Sequence, residues 1–446
     1  MIIAVPIMIQ NFITNFVNML DNIMVGALGT EEMSGVAIIN QLIFIFNLTI
    51  FGAISSAGIF TSQFYGRKDD DGIRYTLRFK GIACALISIA GIFIFIFLGD
   101  YIINMFLHDG SYDCDLYKTH NIAKEYMMIS LIGLIPYAVT QVYAGTLRET
   151  GETFVPMAVG FMALIINAVL NYIFIFGKFG FPKFGVNGAA FGTIIARIAE
   201  CIAIISYVNK NKYKHKYFSK AFRSMHIPKN LFISIGKRGV PLLLNEFLWS
   251  VGMSLISMSY SYHGLAVVAG YSISSTVINL FNITFMSFGT SIGIIAGKYL
   301  GANDFDAAMD RAVKLITFAL GISVAISVIV ISVSKYIPMI YNTSAESKKY
   351  AEYFIRVSAA FMPVTCFTHA SYFTIRCGGK TFITFLLDSC FICFITVPVA
   401  FLLYFCANLS IWAIFPAVQS LDIIKAIIGF ILLKKRVWVN NIIETF

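Results

Sequence analysis

Asp21 stands near the end of the first apolar run of the chain, behind Gln10, Asn11, Thr14, Asn15 and Asn18 at spacings of mostly three and four residues. That spacing gathers several of these groups on one helical face. An ionisable side chain at the middle of a bilayer costs about 2.5–3.5 kcal/mol on insertion scales, so a carboxylate kept there calls for a functional explanation. Amides alone could act as glue between helices at about 1 kcal/mol each. The acid tips the reading towards a cavity and a coupling role. Asn167 and Asn171 lie four apart on one face of the fifth run, and Thr193 lies in the sixth. One carboxylate, two amide carbonyls and a hydroxyl make an all-oxygen set suited to a small hard cation such as Na⁺. The same carboxylate could instead carry a proton.

Two further acids sit in apolar surroundings. Glu246 follows Pro241 by five residues, beside Asn245 and Trp249, and reads as a cavity or coupling acid. Asp388, eight residues past Lys380, reads either as a cavity acid or as a charge that faces the cytoplasmic vestibule. Glu200, three residues after Arg197, is expected to form an internal ion pair with it. Pro6 and Pro241 predict kinks in the first helix of each half. Cys390 and Cys393 form a CxxC with no nearby His, so small buried hydrophobes are expected rather than a zinc or redox site. The 42 Phe, 22 Tyr and 17 Met mostly face lipid or pack helices. A subset could line a cavity for bulky amphipathic cations.

The elements that must hold these groups follow from composition. Of 446 residues, 58% are hydrophobic and 13% charged, against roughly 45–50% and about 25% in soluble domains. A secreted disulfide scaffold, a disordered chain and nearly every cytosolic enzyme are excluded. A helix needs about 20 apolar residues to cross the hydrocarbon core. That length predicts twelve spans, near 1–27, 34–63, 79–107, 121–147, 152–177, 186–209, 234–261, 265–297, 310–338, 350–375, 381–405 and 408–433. The runs are continuous rather than alternating and far longer than ten residues, so helices are preferred over barrel strands. The first run contains Asp21 and lacks a basic leader and cleavage site, so it reads as a retained span, with the natural start expected slightly upstream.

The connections on one side carry twenty-three Lys and Arg and those on the other six, and nine of the twenty-three fall in 210–238. By the positive-inside rule both termini are cytoplasmic, in a multi-pass protein of the cell membrane. The basic stretch reads as a topology signal that touches anionic lipid, and not as a nucleic-acid patch. The two halves also repeat. Pro6, Gly29, Gly35 and Gly66 match Pro241, Gly264, Gly270 and Gly301 at an offset of 235. Leu147–Phe154 then matches Ile375–Phe382 at an offset of 228, with four identities in eight. The expected organisation is a six-helix lobe 1–209, a basic linker 210–233, and a six-helix lobe 234–446 with a short basic tail. The lobes would be related by a pseudo-two-fold along the membrane normal.

No Walker A loop, HExxH or HxxEH is present, so neither a fused ATPase nor an enzyme is expected. Pro6 with Leu20-Asp21-Asn22-Ile23-Met24-Val25-Gly26 resembles the first helix of the multidrug and toxic compound extrusion (MATE) family. So do Gln63-Phe64-Tyr65-Gly66, Leu147-Arg148-Glu149-Thr150-Gly151, Asn171-Tyr172-Ile173-Phe174-Ile175-Phe176-Gly177 and Asn187-Gly188-Ala189-Ala190. The resemblance covers almost the whole chain. It implies a V-shaped pair of six-helix bundles that exports organic cations in exchange for Na⁺ or H⁺ and needs no other cofactor. The family's cation site would fall on Asp21, Asn167, Asn171 and Thr193, where Asn171 departs from relatives that carry a second carboxylate. Glu246 matches an acid that some relatives place in the seventh helix; near Thr365, where others carry one more, this chain has none. Expected partners are small organic substrates, the coupling cation and membrane lipid, with no nucleic acid, in a monomer. The competing readings are a flippase for lipid-linked saccharides, which should line its cavity with several Arg or Lys, and a membrane-embedded enzyme.

Overall fold

A bilayer offers no water to backbone amides, so an apolar chain of this kind closes its hydrogen bonds within helices. The computed structural model describes residues 3–106, 116–341, 343–444 and 446, and no strand occurs among them. The side chains of Asn15 and Asn18 lie outside what is described. Twelve long helices follow one another: α1 (Ala4–Gly26), α2 (Thr30–Arg67), α3 (Asp70–Phe106), α4 (Leu116–Glu149), α5 (Phe154–Phe176), α6 (Val186–Lys210), α7 (Lys229–Ser261), α8 (Leu265–Gly301), α9 (Phe305–Val333), α10 (Ala345–Cys377), α11 (Thr381–Phe405) and α12 (Ile411–Lys434). Ten are long and apolar enough by themselves to cross a membrane. In α1 only Val5–Thr14 forms a continuous apolar stretch, because the polar stripe runs down the same helix. With 38 and 37 residues, α2 and α3 are about 55 Å long and overshoot the roughly 30 Å hydrocarbon core. The free face of α3 carries Leu86, Ile89, Phe93 and Phe97, all exposed, as a lipid-facing helix requires.

The chain divides into two compact units, Met1–Thr61 with Asp70–Phe232, and Ser62–Asp69 with Ile233–Phe446. The basic linker therefore groups with the first unit, and the last turns of α2 group with the second. In the first unit α5 packs along α1 and α6. Close approach depends on glycine: a Cβ at Gly188 would come within 2.6 Å of the Phe174 carbonyl carbon. In the second unit α10 packs along α8, α9 and α12.

Pro6 stands in the first turn of α1 as described. Pro241 does lie inside α7. The residues after α12 are not a free tail: Trp438 is fully buried, and Gln63 bonds Cys377 O (3.1 Å), Asn440 O (3.2 Å) and Ile442 N (2.8 Å). Arg67 holds the carbonyls of Ile443 (2.8 Å) and Phe446 (2.9 Å). Finally, Lys80, counted as a loop base, is fully buried in the first unit. Its ammonium donates to Thr61 and Thr146 (both 3.1 Å) and pairs with Glu149.

Candidate functional site

Three helices of the first unit bring Asp21, Asn167, Asn171 and Thr193 together. The i,i+4 spacing of Asn167 and Asn171 turns both amides to the inner face of α5, where they are 4% and 0% exposed. Asn171 Nδ2 donates to Asp21 Oδ1 (2.6 Å) across to α1 and makes a long contact to Asn167 Oδ1 (3.4 Å). Asn167 Nδ2 then donates to Thr193 Oγ1 on α6 (3.1 Å). This chain of bonds needs Gly192, because a Cβ there would sit 2.0 Å from Asn171 Oδ1. That oxygen is buried and has no hydrogen-bond partner among the described residues.

The orientation matters chemically. Asn171 presents its N–H, not its oxygen, to the carboxylate. A metal cation held by all four side chains would require that amide to turn over. A protonated Asp21 could still accept from that N–H through its carbonyl oxygen, and its new hydroxyl could donate to the Asn171 oxygen if the amide turned over. As it stands, the arrangement is suited to an ionised Asp21. Charge also reaches Asp21 from Arg197 on α6.

Arg197 does not form the expected ion pair with Glu200. Its guanidinium lies 4.9 Å from the Tyr137 ring centroid, with a long bond to Gly133 O (3.4 Å). A carbonyl and an aromatic face satisfy it instead. Further up the stripe, Arg148 makes long bonds to Gln10 Oε1 (3.4 Å) and Gln141 Oε1 (3.3 Å), and the Thr14 hydroxyl bonds back to Gln10 O (3.0 Å).

The second unit holds a separate polar cluster. Asn245 Nδ2 donates to Asp388 Oδ2 (2.9 Å) and Tyr372 OH (3.3 Å). Ser389 bonds both oxygens of Asn245, O (2.6 Å) and Oδ1 (2.7 Å). Arg376 reaches Tyr372 OH (3.5 Å), and its field acts on the half-buried Glu246. Asp388 stands in a π-helical stretch that runs through 386–390 and 392–396, just before Pro398. Wider turns of this type accommodate a proline downstream and recur at functional sites. Cys390 and Cys393 in the same stretch are free thiols, and Cys393 donates to Leu248 O (3.3 Å). Tyr372 and Arg376 were not singled out from sequence as partners of the acids, although Arg376 heads the segment that repeats Arg148. Among the described residues no group of three or more His, Cys, Asp or Glu could hold a metal.

Comparison with known proteins places this geometry in a family. The MatE family model matches residues 6–173 and 241–402, one block in each half. The chain is 23% identical over 303 residues to the probable multidrug resistance protein YoeA of Bacillus subtilis (strain 168), and 28% identical over 305 residues to the probable multidrug resistance protein NorM of Thermotoga maritima. These matches take in 68% and 67% of this chain but 64% and 62% of the two relatives' lengths. A solved structure of an outward-facing multidrug resistance MATE family transporter of the MOP superfamily superposes with TM-score 0.86 at 19% identity, covering 98% of this chain and 94% of that one. The chain is a multi-pass membrane protein, and it belongs to the MATE family.

Proposed function

We propose that the protein exports amphipathic organic cations across the plasma membrane in exchange for protons, with Asp21 as the group that carries the coupling proton. The basic connections and both termini would face the cytoplasm. The observation that carries this reading is the pairing of a lone carboxylate with the Asn171 amide. In the ionised state Asn171 Nδ2 donates to Asp21 Oδ1, and its own oxygen has no partner among the described residues. Protonation of Asp21 turns one of its two acceptor oxygens into a donor, and an amide turned the other way gives that donor the Asn171 oxygen as its acceptor. The proton would then be linked to a local two-state change at the contact between α1 and α5, and alternating access needs a bistable element of this kind.

Neither Arg197 nor Arg356 supports the flippase reading. Arg197 is engaged by Tyr137 and Gly133, and Arg356 pairs with Glu352 (2.7 Å) and Ser334 (3.0 Å). Neither is set to hold a pyrophosphate.

The test is efflux of a fluorescent organic cation from proteoliposomes with each gradient imposed alone. A pH gradient should drive transport by the natural protein and fail to drive Asp21→Asn. Transport that follows a Na⁺ gradient and ignores pH would remove the proton assignment. Asp21→Asn at the natural rate would remove the coupling role altogether.

A further inference from the structure

The segment between α6 and α7 is built, not slack. Tyr217 (3%), Phe218 (9%) and Ala221 (1%) are buried in the first unit. Phe218 stacks on Tyr143 at 5.2 Å, and Thr150 Oγ1, Tyr217 OH and His215 Nδ1 form a hydrogen-bonded chain of 2.9 Å steps. From α3, Arg78 donates to Ala221 O (2.6 Å) and His226 O (2.8 Å), and Arg74 donates to Lys216 O (3.0 Å). Lys214 pairs with Glu152. These contacts fix the segment against α3 and α4.

The fixed segment closes one wall of an open cavity of about 970 Å³. Arg74, Lys210, Lys212, Lys216, Lys220 and Arg223 all line it, and Asp71, paired with Arg74, is the one acid among the lining residues. Arg74 Nε is buried there with no partner among the described residues. A topology signal requires basic residues in a loop. It does not require them to be held around one concavity by buried aromatic anchors. Gathering like charges in this way raises the energy of the unliganded protein through their mutual repulsion, and an anion relieves it. The Arg223 guanidinium fork and several flexible ammonium groups match the oxygens of a phosphate, where charge-assisted hydrogen bonds are strongest. The volume is that of a small-molecule site.

We propose that this cavity binds a phosphate-bearing anion, either the headgroup of an anionic phospholipid or a free phosphate compound. The inference is independent of the transport reading above, because it concerns the linker and not Asp21.

The test uses the full-length protein in nanodiscs. Inorganic pyrophosphate is titrated in phosphatidylcholine discs, and phosphatidylglycerol discs are compared with phosphatidylcholine discs in its absence. Thermal unfolding is the readout. The cavity variant is Lys212→Gln/Lys220→Gln/Arg223→Gln, which leaves the anchoring Arg74 and Arg78 intact. The control Arg311→Gln/Lys434→Gln/Lys435→Gln removes the same charge elsewhere. The expected result is a rise in Tm for the natural protein and the control. The cavity variant should need on the order of a hundredfold more pyrophosphate for the same rise. A response to phosphatidylglycerol alone, lost in the cavity variant, assigns the site to the lipid; a response to pyrophosphate assigns it to a free anion. No rise with either probe, a cavity variant that responds like the natural protein, or a control that loses as much would overturn the proposal.

Discussion

The two units solve one packing problem in opposite ways. At an offset of 235 Lys80 corresponds to Leu315, and at 228 Glu149 corresponds to Cys377. The first unit therefore buries an ion pair, supported by Thr61 and Thr146, where the second packs Leu315 and Cys377 within one hydrophobic cluster. The acids are exchanged as well. Asp21 corresponds to Ile256 in the core of the second unit, whereas Glu246 corresponds to Asn11 and Asp388 to Gly160. The shared scaffold survives: Gln10 next to Arg148 in one unit corresponds to Asn245 and Arg376 in the other, both engaged with Tyr372. The repeat thus preserves the helices and a polar anchor between them, and reassigns the charges. Equivalent positions need not carry equivalent functions.

The largest expected effect breaks the functional side of this comparison. Asp21→Asn is nearly isosteric and can keep a hydrogen bond with Asn171, so the fold should hold while proton-driven efflux disappears. Glu246→Gln should slow transport without abolishing it, because the proposed proton carrier lies in the other unit. Proteoliposome assays of both variants at matched protein content decide the matter. If Glu246→Gln stops transport and Asp21→Asn does not, the roles of the two units are reversed.

Next comes the buried pair. Lys80→Leu leaves the Glu149 carboxylate with its buried partner removed, which costs about 3–5 kcal/mol. Lys80→Leu/Glu149→Cys copies the second unit and should return to near the natural stability, since a buried pair and a packed apolar substitute are often close in free energy. Thermal unfolding in detergent reads both variants. A double variant as unstable as the single one would show that the two units do not share a scaffold at this point.

A smaller effect is expected at Asp388. Asp388→Asn can still accept from Asn245 and removes only the charge beside Arg376 and Glu246, so efflux should fall about fivefold, roughly 1 kcal/mol. An unchanged rate would assign Asp388 to structure alone. This residue also shows what could be read without coordinates. Hydropathy marked it as an expensive acid, and the segment Ile375–Phe382 revealed the repeat. Sequence periodicity could not show that its helix turns π-helical over 386–396, because the cause is Pro398 downstream together with packing against α7. At Asp21 the face and the partners were legible from i,i+4 spacing. The direction of the Asn171 amide was not, because it follows from the acceptors Asp21 Oδ1 and Asn167 Oδ1 that the folded helices bring to its Nδ2. Lys80 was misread as a loop base since hydropathy counts charges near a span's end as solvated, whereas α3 runs far past the hydrocarbon and turns that charge inward.

The smallest effect concerns a device the second unit lacks, the linker anchored by His215. Burial, together with the charge of Lys214, holds the His215 imidazole below its ordinary 6.5. An unfolded segment binds that proton near 6.5 and the docked one only at lower pH. The stability due to the neutral ring is therefore present above 6.5 and is lost as pH falls below it towards the depressed value. Limited proteolysis within 211–228 should accelerate between pH 7.5 and 5.5, while cleavage elsewhere changes less. His215→Asn can keep a polar contact to Tyr217 but cannot titrate in this range, so it should flatten that dependence. A variant with the same pH slope as the natural protein would mean that the anchoring resides in Tyr217 and Phe218 and that His215 contributes only shape.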